Sequence, residues 1–120
     1  TPSELNTFFQ AVFDGRLLSQ ASIDEMKNGA VDASSYLGPG TVYGLGLIGT
    51  PLSCGGTSWG HGGTIHGYQT DNAVGPDGTA VTVAVTALPT AIADQNNLES
   101  SAKEKHQRNK DAVDATLCHK

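Results

Sequence analysis

The hydrophobic pattern divides the chain into helices at its two ends and strands between them. Leu5, Phe8, Phe9, Val12 and Phe13 fall at the i, i+3, i+4, i+7, i+8 spacing of one helical stripe, with Ser3 as a candidate N-cap and Gly15 as the stop. Ser19 can cap a second helix, with Ile23 and Met26 facing inward and Gly29 ending it. The two make a helix pair over 3–28. Residues 30–40 read as loop, with Ser34, Ser35, Gly38, Pro39 and Gly40. Thr41 to Ile48 reads as one glycine-rich strand, Pro51 to Gly56 as a turn, Ser58 to Ile65 as a glycine-broken strand, and Tyr68 to Val74 as a further strand. Gly75-Pro76-Asp77-Gly78 is a turn into Thr79–Leu88, where Val81, Val83 and Val85 alternate with Thr82, Ala84 and Thr86. Pro89 stops the sheet, which spans 41–88, and a thinly striped helix covers 97–117. Consecutive strands flanked by helices predict an α+β fold: an antiparallel sheet with an N-terminal helix pair and a C-terminal helix packed on it.

Composition and charge narrow the chemistry. The chain has 120 residues, enough for one domain, and a net charge of −5. That charge argues against nucleic acid as a partner, since phosphate binding needs clustered Lys and Arg. The basic residues between Lys103 and Lys110 are interleaved with Glu104 and read as a solvated helix face. No stretch reaches the length of a membrane span. The chain starts at Thr1 without a signal-peptide pattern, which suggests trimming, processing or a fragment. Cys54 and Cys118 are surrounded by no CxxC or CxxH pattern, so they are either a disulfide pair or two separate thiols.

Four motifs invite a function. Gly44-Leu45-Gly46-Leu47-Ile48-Gly49 matches GxGxxG, but Pro51 follows and no helix opens, so the glycines are read as letting another backbone or a ligand come close. Ser100-Ser101-Ala102-Lys103 matches SxxK, the nucleophile and base pair of penicillin-recognising enzymes, in a polar helical run that supplies neither a buried base nor an oxyanion hole. His61 and His66 lie five apart on a strand and so on opposite faces; with His119 they make the metal-binding alternative. Asp71 and Asp77 flank the hairpin and read as solvated turn residues. An esterase oxyanion loop at His61-Gly62-Gly63 would need a GxSxG nucleophile elbow, which the chain lacks.

Taken together, the helix pair with Asn6-Thr7-Phe8-Phe9 and Gly15-Arg16-Leu17-Leu18-Ser19, then Tyr43-Gly44-Leu45-Gly46, then Gly60 to Tyr68, the hairpin and the last helix resemble one family. It is similar to the C-terminal part of the β-lactamase/transpeptidase-like serine hydrolases, and among them to secreted D-alanyl-D-alanine carboxypeptidases. The resemblance implies a Cys54–Cys118 disulfide and an extracytoplasmic location. It makes His61-Gly62-Gly63 the third active-site motif, on the strand edging the cleft. It implies that substrate lies along His61, Gly62, Gly63 and Thr64, that the Thr64 N–H is an oxyanion donor, and that His61 and the Thr64 hydroxyl meet the substrate carboxylate. The expected ligand is a D-Ala-D-Ala peptide of the peptidoglycan type or a β-lactam, with no cofactor and no metal. Position 62 is Gly where carboxypeptidases often have Thr, which removes one carboxylate-binding hydroxyl. No SxxK precedes the motif and no YxN occurs, so the chain is expected to be a C-terminal fragment that is inactive alone and self-associates. A non-catalytic binding module of the same fold, an esterase or a β-lactamase are the alternatives.

Overall fold

The computed structural model describes residues 1–86 and 98–119. Helix α1 covers Pro2–Phe13 and α2 covers Gln20–Asn28. The short β1 (Val31–Asp32), α3 (Ser34–Leu37) and β2 (Val42–Tyr43) follow. Then come β3 (Ile48–Pro51), β4 (Thr57–Ile65), β5 (Tyr68–Val74), β6 (Ala80–Val85) and α4 (Leu98–Cys118). The strands form one six-stranded antiparallel sheet in chain order, so each strand pairs with its sequence neighbours. The expected α+β architecture is the observed one. The Pro89 stop and the first residue of the expected last helix lie outside the described residues.

Local chemistry sets the element ends. Thr1, not Ser3, caps α1. The Thr1 hydroxyl accepts from the Glu4 N–H, Glu4 answers the Thr1 backbone, and Pro2 occupies the first turn, where its missing N–H costs nothing. Ser19 caps α2 as expected, accepting from the Ser22 N–H. The expected strand Thr41–Ile48 is instead a hairpin, because Gly46 takes a φ of +71° and turns the chain between β2 and β3. Gly44 meets the end of α2: a Cβ there would lie 2.1 Å from the Met26 carbonyl oxygen, which accepts from the Leu45 N–H. In the GxGxxG match, Gly44 thus serves close backbone approach, Gly46 serves the turn, and Gly49 clears room for the Val42 and Trp59 side chains. His66 and Gly67 form the two-residue turn between Ile65 and Tyr68.

The helices lie on opposite faces of the sheet. Asn6 of α1 accepts from Asn72 of β5 (3.4 Å) and from the Thr82 hydroxyl of β6 (2.7 Å). Asn109 and His106 of α4 bond instead to Asp71 and Gln69 of β5. Because strand side chains alternate, residues 69, 71 and 73 face α4 and residue 72 faces α1. On the α4 side, Leu52, Ala73 and Leu117 make a buried cluster with Val81 and Val113 against it. On the other side lie the buried Val12 and Ile23. The α1 stripe is only partly used, since Leu5 and Phe8 are exposed. A disulfide joins Cys54, in the turn after β3, to Cys118 at the end of α4.

Candidate active-site wall

The site is built by a difference in strand length. Pairing of β3 with β4 stops where Ile48 faces Gly60, yet β4 continues to Ile65. Residues 61–65 therefore have a strand on the β5 side only, among the described residues. That open edge carries His61, Gly62, Gly63 and Thr64. His61 and Gly62 are half-buried, and Gly63 and Thr64 are exposed. The four residues thus share one strand, and of the two exposed ones Gly63 carries no side chain while Thr64 carries a hydroxyl.

The strand stands close to its neighbour here. A Cβ at Gly60 would come 2.0 Å from the Asn72 carbonyl oxygen and 2.9 Å from the Ala73 Cα, both backbone atoms. At Gly63 the one atom within 4 Å of such a Cβ is the Thr70 hydroxyl at 3.3 Å, a tight contact with the end of a side chain rather than with backbone. Beside the edge is a groove of about 310 Å³ whose walls include Tyr43, Ile48, Leu52, Gly62, Thr64 and Val113. Most of this wall is apolar.

A polar group lies at one side of the groove. The Asp71 carboxylate accepts from the Asn109 amide at 3.0 Å. Gln69, itself buried, contacts His106 Nδ1 at 2.9 Å. Lys110 donates to the Leu37 carbonyl. Burial pushes the Lys110 ammonium below the usual lysine range, and the nearby Asp71 charge opposes that shift. Asp71 is therefore not a solvated turn residue, and Lys110 does not belong to a solvated helix face. Both are half-buried at the α4–β5 contact. The reading holds for Asp77, whose carboxylate accepts the Thr79 N–H in the turn, and for Arg108, which pairs with Glu104 on the exposed side of α4. The Gly-Pro-Asp-Gly turn marks Asp77 as a turn residue, whereas Asp71 lies inside the strand Tyr68–Val74. The signal would have been its place in an alternating strand, opposite Gly62.

His61 has both ring nitrogens engaged. Nδ1 lies 2.7 Å from the Gly62 carbonyl oxygen and Nε2 lies 2.7 Å from the Tyr43 hydroxyl. The Tyr43-Gly44-Leu45-Gly46 motif by itself assigns Tyr43 no role; the contact with His61 is what singles it out. The metal alternative is not assembled: His66 is exposed in the β4–β5 turn and His119 is exposed after α4. Among the described residues no group of three or more His, Cys, Asp or Glu could hold an ion. The Ser100–Lys103 match falls in α4, where Lys103 is exposed. The Ser100 side chain lies outside the described residues.

No protein-family profile matches the chain. Solved structures do. The chain is similar to a D-stereospecific amidohydrolase from Streptomyces sp., with 34% identity over 87% of this chain and 28% of that one, at a TM-score of 0.62. It is also similar to the D-amino acid amidase of Ochrobactrum anthropi SV3 in complex with L-phenylalanine amide, with 25% identity over 97% of this chain and 33% of that one, at a TM-score of 0.65. Another structure of the same amidase gives 26% identity and a TM-score of 0.65, over 94% of this chain and 34% of that one. The chain thus spans about a third of the length of the proteins it matches. These likenesses give the chain the α+β, β-lactamase-like fold of the penicillin-recognising serine hydrolases, the superfamily to which such amidases belong.

Proposed function

We propose that residues 1–120 are the C-terminal portion of a serine acyl-hydrolase acting on amides or peptides of D-amino acids, and that they carry one wall of its active site. The observation that supports this most is the edge of β4 from Gly62 to Ile65, open on its β3 side and led by two glycines. An extended substrate can add to such an edge through backbone hydrogen bonds. The Thr64 N–H is the oxyanion donor contributed by this wall, and a donor of that kind is worth roughly 3 kcal/mol in the transition state. Gly63 leaves room for the substrate, and His61 closes the inner end of the wall. The nucleophile and base, an SxxK serine and lysine with a YxN tyrosine, come from sequence outside these residues. The Cys54–Cys118 disulfide supports an oxidising, extracytoplasmic setting.

Two kinds of leaving group fit a hydrolase of this fold. A D-alanyl-D-alanine carboxypeptidase must hold a carboxylate. Gly62 supplies no hydroxyl for one, and the groove beside it is mostly apolar. A leaving group without a carboxylate, such as the ammonia expelled from a primary amide, suits this wall better, in keeping with similarity to two D-specific amide hydrolases. The test is turnover by the full-length protein of a D-amino acid amide, its L enantiomer and an acyl-D-Ala-D-Ala peptide. Preference for the D-amide supports the reading. Preference for the D-Ala-D-Ala peptide returns the protein to the carboxypeptidases, and absence of any turnover makes it a binding module of the same fold.

A further inference from the structure

His61 offers no free nitrogen to a ligand. A carbonyl oxygen can only accept, so the 2.7 Å contact to the Gly62 oxygen puts the proton on Nδ1. In the neutral ring Nε2 is then the acceptor, and the Tyr43 hydroxyl is its donor at 2.7 Å. The two rings meet edge to face, at 89° with centroids 5.7 Å apart. Tyr43 reaches this place through two pairings, opposite Ile48 in β2–β3 and then Ile48 opposite Gly60 in β3–β4. Packing alone would accept phenylalanine. The hydroxyl is the part that acts on His61, and both side chains are half-buried, where water competes weakly for the bond.

We infer that Tyr43 is a positioning residue for this active-site wall: its hydroxyl holds His61 in the Nδ1–H tautomer, with the ring anchored between Tyr43 and the Gly62 carbonyl. The consequence is a division of labour on β4. His61 acts on the strand, by fixing the peptide that joins Gly62 to Gly63, and the contacts with substrate fall to the Gly63 and Thr64 backbone. The catalytic meaning of this pair rests on the function proposed above, but the pair itself is readable without activity.

The experiment is a long-range proton–nitrogen spectrum of the histidine rings in the 120-residue chain, at a pH where the ring is neutral. His61 is expected with a protonated Nδ1 and an unprotonated Nε2. In Tyr43→Phe the Nε2 resonance is expected to shift toward the protonated position, as the second tautomer gains population. Uniform 3-fluorotyrosine, which keeps the donor, is expected to preserve the wild-type tautomer. In the full-length protein Tyr43→Phe is expected to lower kcat about tenfold with KM nearly unchanged, as a misplaced active-site strand would. A protonated Nε2 in the wild type overturns the inference, and so does an unchanged Nε2 resonance in a folded Tyr43→Phe chain. If the Phe variant unfolds, the wild-type and fluorotyrosine spectra decide. A shifted Nε2 alongside a parent that ignores D-amides keeps the pair and removes the function; the reverse removes the pair alone.

Discussion

The Asp114 carboxylate accepts from both the backbone N–H of Ser53, at 2.8 Å, and the Ser53 hydroxyl. This clasp sits one residue before Cys54 and four before Cys118, so it ties the same two segments as the disulfide. The Ser53 hydroxyl and then its N–H hold the Asp114 carboxyl below its usual value of 3.8. A depressed pKa in the folded state means stability that is fully present above the unfolded value and lost as pH falls through the folded one. Urea midpoints should therefore fall as pH drops below about 4, and Asp114→Asn should flatten that dependence. At neutral pH Asp114→Ala should cost about 1 kcal/mol, a value kept low because the pair is partly exposed.

The disulfide should matter more than the clasp. It closes a loop with a sequence separation of 64. On the chain-entropy model that is worth about 4 kcal/mol. Replacing both cysteines by serine should lower the unfolding free energy by that order, measured by urea titration. A loss below 1 kcal/mol would mean that the packing of Leu117 on Leu52 and Ala73 holds α4 in place unaided.

Two glycines of β4 should respond oppositely to alanine. Gly60→Ala drives a methyl into the backbone of β5 and should cost about 3 kcal/mol. Gly63→Ala meets only the end of the Thr70 side chain and should change stability by less than about 0.5 kcal/mol. In the full-length protein Gly63→Val should nonetheless reduce kcat/KM by about tenfold or more, through crowding of the substrate edge. Thermal melts of the two alanine variants check the first contrast, and kinetics the second.

Self-association is expected of the isolated chain. No strand covers the outer side of β6 among the described residues, and Leu5, Phe8, Ile65 and Tyr68 are exposed. Light scattering at rising concentration should show species larger than 12.4 kDa. A clean monomer at high concentration would argue that these surfaces are inert.

Much of this was legible in local pattern. The α1 stripe, the Ser19 cap, the β5–β6 hairpin and the helix at the end follow from periodicity and turn residues. Other features were legible but missed: Thr1 and Glu4 spell a capping box directly, with Pro2 in the first turn. The β2–β3 hairpin was hidden because Leu45 and Leu47 keep the apolar run continuous across the turn made by Gly46. The two-residue strand β1 is too short to carry a period. What the sequence pattern could not supply is the non-local part of the site. Tyr43 and His61 are 18 residues apart, and Asp71 and Asn109 are 38 apart. These pairs exist because strand register and the seating of α4 bring them together.

The same logic bounds what the chain can do alone. No SxxK precedes the His61 motif and no YxN occurs in these 120 residues, so the chain alone is expected to be inert toward acylating substrates. Incubation with a penicillin should leave its intact mass unchanged. A stoichiometric adduct would relocate the nucleophile into these 120 residues, with Ser100 the first to examine.

On the function proposed above, β4 from Gly62 to Ile65 edges an active site for D-amino acid amides. The decisive assay is ammonia release by the full-length protein from the D and L forms of one amino acid amide. Turnover of the D form, little of the L form, and a roughly tenfold or greater loss of kcat/KM in Gly63→Val are expected. An equal rate on both enantiomers, or a Gly63→Val enzyme with unchanged kcat/KM, would contradict it.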